Sequence, residues 1–271
     1  MTQRTTAFIA ELKAICGEAT QAILEVYDQE ERFKGLQRKD DNSPLTEADL
    51  ASNRIICKGL RQIDPSIPII SEENRHQPWE VRKHWELYWL VDPLDGTKEF
   101  LQRNGEFTIN IALVSSGKPV LGVVHIPLTG ETWWAAQGEG AWRCCAQHEQ
   151  RVQAATFDPE QAGLVVVCSR SHFTGETKAF VERFKDPVLV SKGSALKFLL
   201  IASGQAHVYP RIAPTMEWDT AAAQIIVEEA GGSVVDFHSG KPLRYNKADL
   251  LNPPFIARGR IVEGAIQPQV P

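Results

Sequence analysis

Several things are scarce in this sequence, and each scarcity argues against a class of function. No stretch approaches the ~18 consecutive apolar residues of a membrane span, so integral membrane association is not expected. There is no basic run. Lys and Arg number 29 against 34 Asp and Glu, a formal charge of −5, which suits a nucleic-acid polymer poorly. The five cysteines, Cys16, Cys57, Cys144, Cys145 and Cys168, form no CxxC pair and no Cys/His cluster, so zinc is not indicated. Their odd number and irregular spacing read as reduced thiols of a cytoplasmic protein, with vicinal Cys144 and Cys145 structural. The N-terminal segment lacks the apolar core of a signal peptide, because Glu11, Lys13 and Glu18 interrupt it. Repeats and low-complexity tracts are absent.

What is present is 271 residues with 43% hydrophobic content, enough for one compact unit of two packed subdomains. Apolar residues from Phe8 to Val26 recur at helical spacing and predict a helix over about 5–28. A polar loop follows, and a second helix is expected to start at Thr46, capped with Asp49. The strand signals are IPIIS, ending at Ser71, and LYWLVD, ending at Asp92. FTINIALV and PVLGVVHI form an antiparallel hairpin, and ETWWAAQ follows. The polar stretch from His148 to about Gln161 marks the expected boundary between subdomains 1–155 and 156–271. Beyond it, strands LVVVCSRS, PVLVS and AHVYP alternate with helices TKAFVERF and ALKFLLIAS. Asp219 then opens the helix DTAAAQIIVEEA. The overall pattern predicts stacked layers of helix and sheet.

The acids carry the functional signal. Glu72 follows one apolar strand, Asp92 ends another, Asp95 lies three residues later in DPLDGT, and Asp219 sits at a helix start. Any one of these has an ordinary structural explanation as a strand end or helix cap. Together they occupy the exits of regular elements, where distant segments converge. Their hard oxygen ligands suit magnesium. Pro93 can turn the Leu94 carbonyl toward a metal, Gly96 permits close approach, and a helix starting near Thr97 would offer N–H groups to a phosphate.

The string Trp89-Leu90-Val91-Asp92-Pro93-Leu94-Asp95-Gly96-Thr97 resembles the signature of the inositol monophosphatase superfamily. Glu217-Trp218-Asp219-Thr220-Ala221-Ala222 resembles its second signature. Ser71-Glu72-Glu73 and Leu45-Thr46-Glu47-Ala48-Asp49 match in order and spacing. The resemblance implies a five-layer αβαβα sandwich, an α/β fold like that of fructose bisphosphatase, and lithium-sensitive, magnesium-dependent phosphomonoester hydrolysis. Two Mg2+ ions are implied at Glu72, Asp92, Leu94, Asp95 and Asp219. Asp49 and Thr97 form a proton relay, and a weaker third ion is placed near Lys39, Asp40 and Asp41.

Within the superfamily, DGTKEF is similar to the bacterial 3'(2'),5'-bisphosphate nucleotidases. Ser169-Arg170-Ser171-His172, Gly193-Ser194-Ala195-Leu196-Lys197 and Tyr209-Pro210-Arg211 agree with them in order. Carried over, this places His172 near an adenine, and Ser194, Lys197 and Arg211 on a second phosphate. Glu72, Leu94, Asp95, Gly96, Thr97 and Asp219 then surround the reacting phosphate. Ala195 departs from the more usual Ser. The partner is thus a small nucleotide bisphosphate, the chain is expected as a monomer with a dimer left open, and peripheral inner-membrane association is compatible with the resemblance. Inositol-phosphate or sugar-bisphosphate hydrolysis, and nucleotide sensing without turnover, stand as alternatives.

Overall fold

The structure, a computed structural model, describes residues 3–29, 47–146, 148–169 and 174–264. Lys39, Asp40, Asp41, Thr46 and His172, to which the sequence assigns roles, lie outside the described residues.

Two helices, α1 (Gln3–Tyr27) and α2 (Glu47–Ile63), cover one face of a seven-stranded sheet. The strands are β1 (Ile69–Ser71), β2 (Leu87–Asp95), β3 (Thr108–Ser115), β4 (Lys118–Ile126), β5 (Glu131–Ala136), β6 (Gly140–Cys145) and β7 (His148–Val152), in that spatial order. β1 runs parallel to β2, and the rest are antiparallel. Short helices α3 (Trp79–Arg82) and α4 (Thr97–Leu101) flank β2.

After a short strand β8 (Thr156–Phe157), the second half builds a five-stranded sheet. It comprises β9 (Val165–Ser169), β10 (Val188–Lys192), β11 (Val208–Arg211), β12 (Ser233–Asp236) and β13 (Phe255–Arg258), in the order β10-β9-β11-β13-β12. Helix α5 (Gly175–Val181) lies outside it, and α6 (Leu196–Ala202) and α7 (Ala221–Glu229) lie between the two sheets. A last strand, β14 (Arg260–Ile261), pairs with β8.

Successive side chains of a strand point to opposite faces, and β2 shows what that does here. Trp89 and Val91 join Leu12, Ile23, Ile56 and Leu60 of the outer helices. Leu90 faces the other way, into a core shared with Ile225 and Ile226 of α7 and Phe255 of the second sheet. A third core joins Val166, Val208 and Ile256 to Phe180 of α5. Both sheets are therefore buried on both faces, giving the layers α, β, α, β, α. Gly122 lets α7 approach β4: a Cβ there would stand 2.4 Å from the Ala222 carbonyl oxygen.

The structure corrects several expectations. The polar stretch from His148 begins with a strand, the last of the first sheet. In β7 only Val152 is buried, so this edge strand carries no apolar alternation to read. β6, β12 and β13 also went unread in the sequence. LYWLVD does not stop at Asp92 but continues to Asp95. Asp219 does not open α7. It closes a 3-10 turn, Glu217–Asp219, and its Oδ2 accepts the Met216 N–H at 2.8 Å. Among the described residues, no helix is long and apolar enough to cross a membrane.

Candidate active site

Asp92 and Asp95 are three residues apart, so a regular strand would turn them to opposite faces. The β2–β3 register prevents this. Asp92 pairs with Asn110 and Asp95 with Thr108, so three steps on β2 match two on β3. The extra residue is a β-bulge at Pro93-Leu94, where a proline without an N–H costs no ladder bond. Asp92 Oδ1 accepts the Leu94 N–H at 3.1 Å, and the Ser52 hydroxyl donates to the Pro93 carbonyl at 2.7 Å. The bulge turns both acids toward the middle layer, where Asp219 precedes α7. Carboxylate oxygens of Asp92, Asp95 and Asp219 lie within 4.8 Å of one another.

The turn carrying Asp219 is held from both sides. The fully buried Glu217 accepts the Asn246 N–H at 2.6 Å, the Lys247 N–H at 3.0 Å and the Lys247 ammonium at 2.5 Å. Asn252 donates to the Met216 carbonyl at 2.7 Å. Sequence reading passed over Glu217 and Asn252 as site residues. The signal available was the Glu beside the Trp-Asp pair.

Glu72 continues β1 by donating its N–H to the Val91 carbonyl at 3.2 Å. It is not among the three acids within mutual reach, yet its charge and that of Asp92 oppose each other. Burial first, then Glu72, Asp95, Asp219 and Asp49, raise Asp92 well above the carboxylate range. Glu72 is pushed up to about 8 by burial, then by Asp219, Glu73, Asp95 and Asp49. Asp219 is pushed up to about 7 by burial and Asp95, against the opposing pull of the Met216 N–H, Arg211 and Lys197. Buried, uncompensated carboxylates are costly, and a hard cation relieves that cost. The residues therefore fit a divalent metal.

Asp49 is buried in the first turn of α2. The buried stripe of that helix is polar at Asp49, Ser52 and Asn53, beside the acids, and apolar at Ile56 and Leu60, over the sheet. Thr97 is half-buried and opens α4, after Gly96 in the left-handed region at φ 98°. The first-turn N–H groups of α4 have no intrahelical acceptor.

The second sheet and α6 supply the cations. β9, β10 and β11 are parallel neighbours, and their carboxyl ends carry Ser169, the Gly193-Ser194 turn and Arg211. The carboxyl end of parallel strands is where open α/β sheets place ligands. Asp95, Gly96, Ser194, Lys197, Arg211 and Asp219 line one cleft of about 110 Å³, with Phe198, Tyr209 and Phe255 as its aromatic wall. The buried Lys197 ammonium donates to the Ser194 carbonyl at 2.5 Å and stands 5.5 Å from the Tyr209 ring centre. Burial pulls it down to about 8, partly offset by Asp95, with Arg211 adding to the lowering. Arg211 Nη2 donates to the Pro214 carbonyl at 3.1 Å, while its buried Nε has no partner among the described residues. Ser194, expected on a second phosphate, has its hydroxyl directed at Asp95 Oδ2, 2.6 Å away.

A model of the inositol monophosphatase family matches residues 3–269. The chain belongs to that family. Its family relatives include the 3'(2'),5'-bisphosphate nucleotidase CysQ of Escherichia coli K12, 46% identical over 238 residues, or 88% of this chain and 94% of the relative. The CysQ of Haemophilus influenzae is 35% identical over 225 residues, 83% of each chain. In structure, CysQ from Bacteroides thetaiotaomicron superposes with a TM-score of 0.82 at 39% identity, covering 94% of this chain and 98% of that one. An inositol monophosphatase from Thermotoga maritima reaches 0.75 at 25% identity, covering 93% and 92%. The fold is thus the family's layered sandwich.

The raised acids give a stability prediction. Glu72 and Asp219 stand at about 8 and about 7 in the folded chain, against ordinary values of 4.5 and 3.8. Below about pH 3 both states hold these protons. As pH rises toward 8 the unfolded chain ionises first, so the folded state loses stability. Metal-free protein should therefore melt several degrees lower at pH 8 than at pH 5.5, and saturating Mg2+ should flatten that slope. Scanning calorimetry across this range tests it, and parallel curves with and without Mg2+ would remove these acids from metal binding.

Proposed function

We propose that this chain is a magnesium-dependent 3'(2'),5'-bisphosphate nucleotidase. It would convert adenosine 3',5'-bisphosphate to AMP and phosphate in sulfur metabolism, with sensitivity to lithium. The family relationship and the named relatives support the reading. The observation that carries it is one cleft in which Asp95 of the first sheet and Asp219 meet Lys197 of α6 and Arg211 of the second sheet. A substrate with two phosphates needs metal at the reacting one and fixed cations at the spectator. The same reading treats 1–155 and 156–271 as subdomains, the first carrying most metal ligands and the second Asp219 and the nucleotide contacts.

In this reading Glu72, Asp92, Asp95, Asp219 and the Leu94 carbonyl hold two Mg2+ ions. When bound, these ions supply Lewis-acid polarisation of phosphate and water oxygens. Gly96 and Thr97 offer backbone N–H groups to the reacting phosphate. Thr97 takes a proton at its hydroxyl and passes it to Asp49. Arg211 has an unused Nε and Lys197 a third donor to offer the spectator phosphate, and His172 is assigned to the base.

The test is hydrolysis of adenosine 3',5'-bisphosphate beside 3'-AMP and inositol 1-phosphate, with and without Mg2+. Preference for inositol 1-phosphate would sink the reading. Lys197→Ala and Arg211→Ala should each raise KM for the bisphosphate about tenfold to a hundredfold, the worth of a charge-assisted hydrogen bond. They should leave 3'-AMP nearly unchanged. Equal losses on both substrates would assign these residues to general support of the cleft.

A further inference from the structure

We propose that Ser194 is a positioning residue for Asp95, fixed by Glu106, so that a turn of the second sheet governs cation binding by acids of the first. The inference rests on the metal-dependent reading above. A carboxylate has no proton to give, so Ser194 donates to Asp95, with Oδ2 the nearer acceptor at 2.6 Å and the Asp95 carbonyl oxygen the farther at 3.0 Å. Thr108, 2.7 Å from Ser194 Oγ, is left to donate to Ser194 or to Asn110. Asn110 also donates to Oδ2, at 3.4 Å. Both donors use the same oxygen. Among the described residues none donates to Oδ1, and one Asp95 carboxylate oxygen lies within 4.8 Å of oxygens of Asp92 and Asp219. The Ser194 hydroxyl thereby sets the rotation of the carboxylate, as outer partners of metal ligands do. A hydroxyl whose only proton goes to Asp95 has none to offer a second phosphate.

The backbone shows that this placement is enforced. Ser194 sits at φ 49°, in the left-handed region that serine seldom occupies. Such conformations persist where the surroundings over-determine them. Glu106 does so here. One oxygen accepts the Gly193 N–H at 2.8 Å and the other the Lys192 ammonium at 3.1 Å. Gly193 has no room for a side chain, since a Cβ would meet Glu99 Cγ at 2.6 Å. Glu106 precedes β3, whereas Lys192 ends β10, so this clamp ties one sheet to the other.

The experiment compares wild type with Ser194→Gly and Glu106→Gln. Glycine accepts the left-handed backbone and removes the hydroxymethyl group that carries the hydroxyl. Titration with Mn2+ alone, read from the paramagnetic resonance of the free ion, should show affinity about 10- to 100-fold weaker in Ser194→Gly. Glu106→Gln should weaken it in the same direction. The ratio of kcat/KM for adenosine 3',5'-bisphosphate over 3'-AMP should stay at the wild-type value in both. Wild-type Mn2+ affinity in Ser194→Gly overturns the proposal, as does a loss confined to that ratio, which would return the hydroxyl to the phosphate. If Ser194→Gly fails to fold, full Mn2+ affinity in Glu106→Gln overturns it. Wild type that binds Mn2+ but hydrolyses neither nucleotide would sink the nucleotidase reading instead, with the Mn2+ comparison still deciding this one.

Discussion

Asp92→Asn is expected to lower kcat/KM by at least about a thousandfold while leaving the metal-free protein as stable as before, or more so. Asp92 is the most enclosed acid of the cluster, 1% exposed, and burial together with four other carboxylates opposes its ionisation. An amide keeps the size and removes the charge. The site then loses several kcal/mol of metal-dependent transition-state stabilisation, and each 1.36 kcal/mol is a factor of ten in rate. The metal-free fold loses only an electrostatic burden. The amide also retains an oxygen for the Leu94 N–H, which Asp92 accepts at 3.1 Å. Melting curves with and without Mg2+ should show the stabilisation by metal collapse while the metal-free curve holds or rises. A variant of this kind with near-normal turnover would remove Asp92 from the metal site.

Thr97→Ala should lower kcat by about 10²–10⁴, the range of general acid–base groups, with Mg2+ affinity nearly unchanged. Thr97 opens α4 and contributes no carboxylate, whereas Asp49 lies close enough to raise Glu72, Glu73 and Asp92. The first turn of α2 is held beside the bulge by Ser52, whose hydroxyl meets the Pro93 carbonyl. A proton leaving an attacking water would therefore find an acid placed beside the metal ligands. Thr97→Ser should restore most of the rate, since it returns the hydroxyl without the methyl. The same titration that follows Mg2+ binding gives the contrary result: if Thr97→Ala abolishes binding, the hydroxyl serves the metal rather than the proton.

Most of the outer architecture could be read along the chain. α1 and the core-facing stripe of α2 follow from helical spacing. The β3–β4 hairpin follows from two apolar runs around Ser115–Lys118. β6 and β7 could not be read this way. Gly140–Cys145 is only partly buried, and His148–Val152 is a polar edge strand held by backbone pairing with β6. Backbone hydrogen bonds leave no mark in side-chain periodicity. β12 and β13 are four residues each, too short for a period to declare itself.

At the site, the sequence by itself singled out the candidate acids, because hard oxygens at the exits of strands and turns serve little other chemistry in such number. It also singled out Lys197 and Arg211 as candidate cations, and it carried the family's motifs. Tertiary structure decided how they face. Asp92 and Asp95 share a side of the sheet because three residues of β2 are matched to two of β3, and register is a property of two strands. Asp219 aims from a 3-10 turn held by Glu217 and Asn252, whose partners lie some thirty residues away in the chain. Ser194 turns to Asp95 rather than outward because its φ is fixed by Glu106 from the other sheet. A residue's type limits what it can bond. Only the packing of distant segments settles which of those bonds it makes, since a donor with one proton goes to the acceptor the fold brings nearest.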